Sequence, residues 1–356
     1  MTSETYSNIK IFKHMDKLRS IQNGVLTSPI TIRLKPTNVC QHNCFYCAYR
    51  DTDGYMKGSY GFNKMDSIPL DIMKQLLKDI IDMGVKGIIL SGGGEPLIYE
   101  HIEYVLSTLN DNNIDVGIIT NGKNLDKVAN LVSEAKWVRV SLDATDPELY
   151  SSMRGVKKDE VINILKGMQY FASVKKPECE LGVNYVVNHK NYNNIYDTIK
   201  VLKKVGADHI KFAPRAHYDM DEYHKPFAKA AIDEIEKGKL EFEDPSYHVI
   251  NKYVDYIGMN VIFDRQYEFC PMQQVVPCIA ADSWVYICHD KAYVPTGRLG
   301  SLKDRTFREI WFSEETYDRF KNFNAKEECK HHCAWDQRNI IMNEYLELNE
   351  DNVNFI

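Results

Sequence analysis

Residues 69–96 read PLDIMKQLLKDIIDMGVKGIILSGGGEP, and this stretch decides the fold. Over Pro69–Met83 the apolar residues recur at helical spacing, with a proline in the first turn and Gly84 placed as a C-cap. Gly87–Leu90 (GIIL) then reads as a short strand, and Ser91–Pro96 as the turn that leaves it. The alternation continues in both directions. Ile30–Leu34 (ITIRL) precedes this unit; Asp115–Thr120 (DVGIIT), Trp137–Leu142 (WVRVSL), Leu181–Val187 (LGVNYVV) and His209–Ala213 (HIKFA) follow it. Six strands separated by helical crossovers predict βα units and parallel pairing, an α/β protein. The expected architecture is a partial (β/α)6 TIM-like barrel, with its chemistry on the loops after the strands.

The chain divides accordingly. We expect an N-terminal arm over 1–29, the barrel over 30–232, a helical linker over 233–269, a small α+β domain over 270–340 and a tail over 341–356. Of the 356 residues, 44% are hydrophobic and 26% charged, a balance that disfavours disorder. Lys and Arg number 44 against 50 Asp and Glu, giving a net charge of −6. A protein that grips a phosphate backbone carries a basic excess, so nucleic acid is not an expected partner. No apolar run reaches ~18 residues and the first twenty hold no secretion-type stretch, so no membrane span and a cytoplasmic location are expected.

Nine cysteines, an odd number, argue against a disulfide framework. Cys40, Cys44 and Cys47 follow the first strand as C-x3-C-x2-C; Cys270, Cys278, Cys288, Cys329 and Cys333 fall near the end; Cys179 stands alone as a bystander. Three thiolates in one loop can hold three irons of a [4Fe–4S] cube and leave the fourth open. A structural zinc site with His42 as fourth ligand is the alternative. Cys270, Cys288, Cys329 and Cys333 are enough to saturate a second cube, or to hold zinc, for which His331 and His332 also qualify.

The first triad, with an aromatic before its last cysteine, resembles that of the radical S-adenosylmethionine (SAM) superfamily. So does the order of motifs on successive strand ends: Ser91–Pro96, Thr120-Asn121-Gly122, and Ser141-Leu-Asp143-Ala. The resemblance covers roughly residues 30–215. It implies a radical that abstracts hydrogen, generated from SAM by one electron from the cube, with flavodoxin or ferredoxin as the electron source. It also implies roles for individual residues. Gly92, Gly93 and Gly94 would let backbone approach the ligand, and Glu95 would meet the SAM ammonium. Asn121 belongs to the same strand-end set, Ser141 and Asn184 would face the ribose, and Arg154 the carboxylate. Tyr46 matches the family's adenine-side aromatic, or packs under the cluster loop.

Leu299–Leu302 and Phe307–Trp311 resemble the connector and helix of the family's C-terminal SPASM and twitch extensions, which implies one auxiliary [4Fe–4S] cluster on Cys270, Cys288, Cys329 and Cys333. His289, Asp290 and Lys291 are candidates to bind a sugar or phosphate, or form a solvated turn. Cys278 has three readings: buried packing, a replacement ligand for Cys270, or a thiol hydrogen donor in an epimerisation. The function expected is an oxidoreductase or epimerase acting on a small polar metabolite, namely a sugar, an aminocyclitol or a nucleotide-linked sugar. A peptide maturase is the rival, and a non-catalytic iron–sulfur or zinc protein the third possibility. A molybdopterin-precursor cyclase would end in Gly-Gly, where this sequence ends Val-Asn-Phe-Ile.

Overall fold

Each barrel strand sends alternate side chains toward the helices and toward the lumen, and that alternation positions everything that follows. The computed structural model describes residues 6–50, 61–217, 219–255, 265–331 and 333–348. Its first strands are β1 (Thr31–Leu34), β2 (Gly87–Leu90), β3 (Asp115–Thr120), β4 (Trp137–Ser141), β5 (Glu180–Val187), β6 (His209–Pro214) and β7 (His248–Asn251). They pair in chain order and all are parallel. Three further strands, β8 (Cys278–Ile279), β9 (Trp284–Tyr286) and β10 (Arg298–Ser301), extend the sheet beyond β1. β8 runs parallel to β1, and β9 and β10 are antiparallel.

The expected α/β class and parallel sheet are both present. Two features were not expected from the sequence. β7 falls inside the stretch read as a helical linker, because His-Val-Ile-Asn is too short and too polar to announce a strand. The C-terminal hairpin is not separate from the sheet but continues it through β8. The final helix, Asp336–Leu346, runs past residue 340. Among the described residues, no helix is long and apolar enough to cross a membrane.

The helix-facing positions Ile32, Leu34, Ile88, Leu90, Ile118, Val138 and Val140 are buried in one core with the surrounding helices. Leu70–Asp82 shows the pattern: Met73, Leu76, Leu77 and Ile80 are buried, and Gly84 closes the turn at φ +69°. The C-terminal helix Phe307–Trp311 joins the same core, opened by a Thr306–Glu309 capping box. Its Arg308 N–H donates to Asp79 Oδ2 at 3.0 Å, and Trp311 Nε1 to the Thr27 carbonyl at 3.0 Å.

On the lumen side, glycines make room for bulky neighbours. A Cβ on Gly117 would lie 2.1 Å from the Trp137 ring, and one on Gly182 would lie 2.2 Å from His209 Nε2. Gly182→Ala should therefore cost about 1–3 kcal/mol through overpacking. Gly167→Ala, inside the helix Glu160–Val174, meets only Asp126 at 3.6 Å. It should be neutral or stabilising by up to about 1 kcal/mol. Thermal denaturation of the two variants checks both expectations; equal losses would contradict the packing account.

Candidate functional site

The loop leaving β1 carries Cys40, Cys44 and Cys47, all free and half-buried. Its backbone is tied down from two sides. Asn43 N donates to the Arg154 carbonyl at 2.8 Å and Phe45 N to the Met153 carbonyl at 3.1 Å, while Gly94 N and Glu95 N donate to the Thr37 and Val39 carbonyls at 3.1 and 2.8 Å. Gly155 follows Arg154 in a left-handed turn, φ +62°, where a Cβ would press on Asn43 at 3.1 Å. Burial pushes the Cys40 and Cys47 thiols up.

The glycine run Gly92–Gly94 permits a close approach, but the group that approaches belongs to the protein. A Cβ on Gly94 would lie 2.1 Å from the Val39 carbonyl, and one on Gly93 would lie 2.1 Å from Asn38 Oδ1 and 2.8 Å from the Tyr293 hydroxyl. Glu95 is likewise engaged. Its Oε1 accepts from Thr120 Oγ1 at 2.6 Å and Leu97 N at 3.1 Å, and its Oε2 from Asn121 N at 2.6 Å. Burial pushes this carboxyl up to about 7 against the pull of those donors. The Asn121 side chain reaches Gln41 Oε1 at 3.3 Å and Cys40 Sγ at 3.9 Å, so β3 touches the cluster loop directly.

Arg154 and Asp143 form a buried ion pair under that loop. Arg154 also donates to the Ser141 carbonyl at 3.0 Å and approaches Cys44 Sγ at 3.5 Å. Burial opposes its charge, but Asp143 and Cys44 more than offset this and hold the guanidinium protonated. Tyr46 donates its hydroxyl to Asp143, with the Arg154 guanidinium over its ring. Asp143 is thus the hub that sequence reasoning passed over, although it sits in the Ser141–Ala144 motif. His42 turns to Glu160 at 3.2 Å, which also pairs with Lys123 at 2.8 Å. Burial pushes His42 down to about 4.

Ser141 and Asn184 are register partners on β4 and β5 and line a lumen cavity of about 790 Å3. Arg33, Arg139 and Lys211 also line this cavity and were missed from the sequence. A charge at a lumen-facing position inside WVRVS or HIKFAP was the available signal, since parallel strands ordinarily bury both faces. Tyr6, from the N-terminal arm, also lines this cavity and bonds His209 Nε2 at 2.9 Å.

Cys270, Cys288, Cys329 and Cys333 line one enclosed cavity together with Tyr267, Trp335 and Asn339. Burial pushes all four thiols up, Cys270 to about 12, so they stay neutral unless a metal takes the proton's place. Among the described residues, no three His, Cys, Asp or Glu side chains form a single-ion site. Four thiols around a shared cavity and three in a loop are the donor sets that cubes require. His331 also lines the cavity, and His332 lies outside the described residues. His289 pairs with Asp290 at 3.1 Å, and Lys291 bonds the Glu328 carbonyl; all three side chains are drawn inward rather than solvated. Cys278 is wholly buried on β8, opposite Arg33, among Ala280, Tyr286, Ala292 and Tyr293. Cys179 is buried in the barrel core.

Glu95→Gln places an amide where three donors converge, so about 1.5–3 kcal/mol of stability should be lost, the range for a hydrogen bond to a charged group. Thermal melts of the protein without added SAM read this directly, and an unchanged midpoint would remove Glu95 from its central place.

Residues 34–202 match the radical SAM superfamily, and residues 270–334 match an iron–sulfur cluster-binding domain. The curated relatives include a probable GTP 3',8-cyclase from Methanococcus aeolicus, 28% identical over 56% of this chain and 67% of that one. A GTP 3',8-cyclase from Staphylococcus aureus is 30% identical over 44% of each chain. Among solved structures, Streptococcus suis SuiB bound to precursor peptide SuiA aligns with TM-score 0.62 at 17% identity, covering 88% of this chain and 70% of that one. Native anSMEcpe with bound AdoMet aligns with TM-score 0.58 at 16% identity, covering 89% of this chain and 97% of that one. The two structural likenesses are likenesses of fold. The chain carries a radical SAM domain followed by a C-terminal iron–sulfur cluster-binding domain, with [4Fe–4S] clusters and SAM as its cofactors.

Proposed function

We propose that this enzyme abstracts hydrogen from a small polar metabolite, a sugar, aminocyclitol or nucleotide-linked sugar, held in the barrel lumen, and dehydrogenates or epimerises it. The observation that carries the reading is the lumen cavity itself: about 790 Å3, lined by polar and apolar groups together, with Ser141 and Asn184 on its wall. That volume suits a metabolite. The similarity to GTP 3',8-cyclases, named for a nucleotide, supports a small polar substrate.

Cys40, Cys44 and Cys47 would hold the cube that binds SAM, and Cys270, Cys288, Cys329 and Cys333 the auxiliary one. When bound, these groups supply the reducing electron and the 5'-deoxyadenosyl radical. The chain's own residues do the positioning. Glu95 has three acceptor sites filled by Thr120, Leu97 and Asn121, which leaves one for the SAM ammonium. Gly92–Gly94 and Asn121 hold that carboxylate against the cluster loop. Arg154 serves the thiolate side of the loop as well as the SAM carboxylate, and Tyr46 reaches the adenine side while anchored to Asp143. Ser141 and Asn184 take the ribose. Full enclosure of Cys278 supports a packing role over that of hydrogen donor or ligand.

Anaerobically reconstituted protein with SAM and reductant should release 5'-deoxyadenosine, and deuterium from a labelled nucleotide-linked sugar should appear in it. Deuterium transfer from a peptide alone would replace this reading with a maturase, as would suit the likeness to peptide-bound SuiB. Replacing Cys40, Cys44 and Cys47 by Ala should remove about four irons, the content of one cube, and abolish cleavage. Replacing Cys329 and Cys333 should remove the other cube; release of zinc there would end the auxiliary-cluster assignment.

A further inference from the structure

We propose that Arg33, Arg139 and Lys211 form an anion seat in the barrel lumen that holds a phosphate group of the substrate, with the reacting carbon above it toward the strand ends. The proposal rests on the lumen being the substrate's place. The three cations come from β1, β4 and β6, and so face one cavity from different sides. Among the residues lining that cavity, Asp115 is the single carboxylate, and it is already paired with Lys136 at 3.5 Å. Among the described residues, no ion pair reaches Arg33, Arg139 or Lys211.

What they do touch holds them in place: Glu180, at the start of β5, draws on the Arg139 charge without forming an ion pair with it, and Tyr6 bonds the same guanidinium. Arg33 donates its Nε to Ser91 Oγ at 3.0 Å. Arg139 lies between the rings of Tyr6 and Trp137, 4.8 Å from each centroid, and its Nε is shut from solvent with no hydrogen-bond partner. Lys211 sits over Tyr6 at 5.2 Å. Burial, with Arg139, Arg33 and Lys252 adding repulsion, pushes Lys211 down to about 7. Three like charges in a partly dry space repel one another, and a multiply charged anion among them reverses that cost. Two guanidinium forks and an ammonium match the oxygens of a phosphate better than the two of a carboxylate.

The placement also orients the substrate. Arg139 and Ser141 are two residues apart on the same face of β4, about 7 Å along the strand. A phosphate at Arg139 therefore leaves room for one sugar ring before the level of Ser141. Tyr6 lines the cavity beside the seat, its ring against both Arg139 and Lys211.

The test uses the reconstituted holoenzyme and inorganic pyrophosphate, read by isothermal titration without turnover. Wild type should bind pyrophosphate, and bind it more tightly than malonate. Lys211→Met and Arg139→Met should each weaken binding by about tenfold or more, Lys211→Arg should retain it, and Lys229→Met on the outer surface should change nothing. Should a methionine variant fail to fold, mass spectrometry of wild type decides instead: pyrophosphate should shield Lys211 from an acylating reagent. No binding, binding indifferent to these residues, preference for malonate, or unshielded Lys211 would each overturn the seat. SAM cleavage is scored separately. Cleavage without pyrophosphate binding removes only the phosphate assignment, whereas binding without cleavage keeps the seat and removes the radical reading.

Discussion

One buried carboxylate organises the site. Glu95 lies at the end of β2, accepts from the end of β3 through Thr120 and Asn121, and ties its own backbone to the cluster loop at Val39. Removing a carboxylate from water is costly, and the donors around it offset that cost only while every one is in place. The glycines before it serve the same junction, since side chains at Gly93 or Gly94 would drive the loop off Asn38 and Val39. Two strand ends and the loop that carries Cys40, Cys44 and Cys47 thus form one rigid corner.

A second buried pair, Asp143 with Arg154, supports the opposite flank of that loop and brings Tyr46 with it. Between the two flanks the barrel interior is electrostatically unlike the molecule as a whole. The chain carries a net charge of −6, yet its lumen concentrates Arg33, Arg139 and Lys211. Charge averaged over the surface says little about the field a substrate meets inside a low-dielectric barrel.

Much of this was legible in the sequence, because βα periodicity and cysteine spacing are local signals. The six strands from Thr31 to Pro214 fall where alternation placed them, give or take a residue. Ser141 and Asn184 could be named as a pair because the order of strands puts them side by side. What was not legible depends on residues far apart in the chain. The need for Gly93 is set by Asn38 and by Tyr293, two hundred residues away. β7 and β8 are strands only because β6 and β1 offer them an edge; neither His248–Asn251 nor Cys278–Ile279 has enough residues to declare itself. The cationic cluster escaped notice because Arg139 and Lys211, on separate strands, become neighbours only when the barrel curls.

The pairing of β8 with β1 has a consequence for how the chain reaches its native state. Arg33 and Cys278 are register partners although most of the polypeptide lies between them. On a ribosome, β1 is made early and its outer edge stays unsatisfied until the C-terminal hairpin has been synthesised. Such an open edge is a template for wrong partners, and contacts of this sequence separation form late because the entropy of closing the loop must be overcome first. The auxiliary cysteines lie on the late-arriving segments that flank this hairpin. Folding of the barrel's first edge and maturation of the second cysteine cavity are therefore successive parts of one event, with the order set by synthesis.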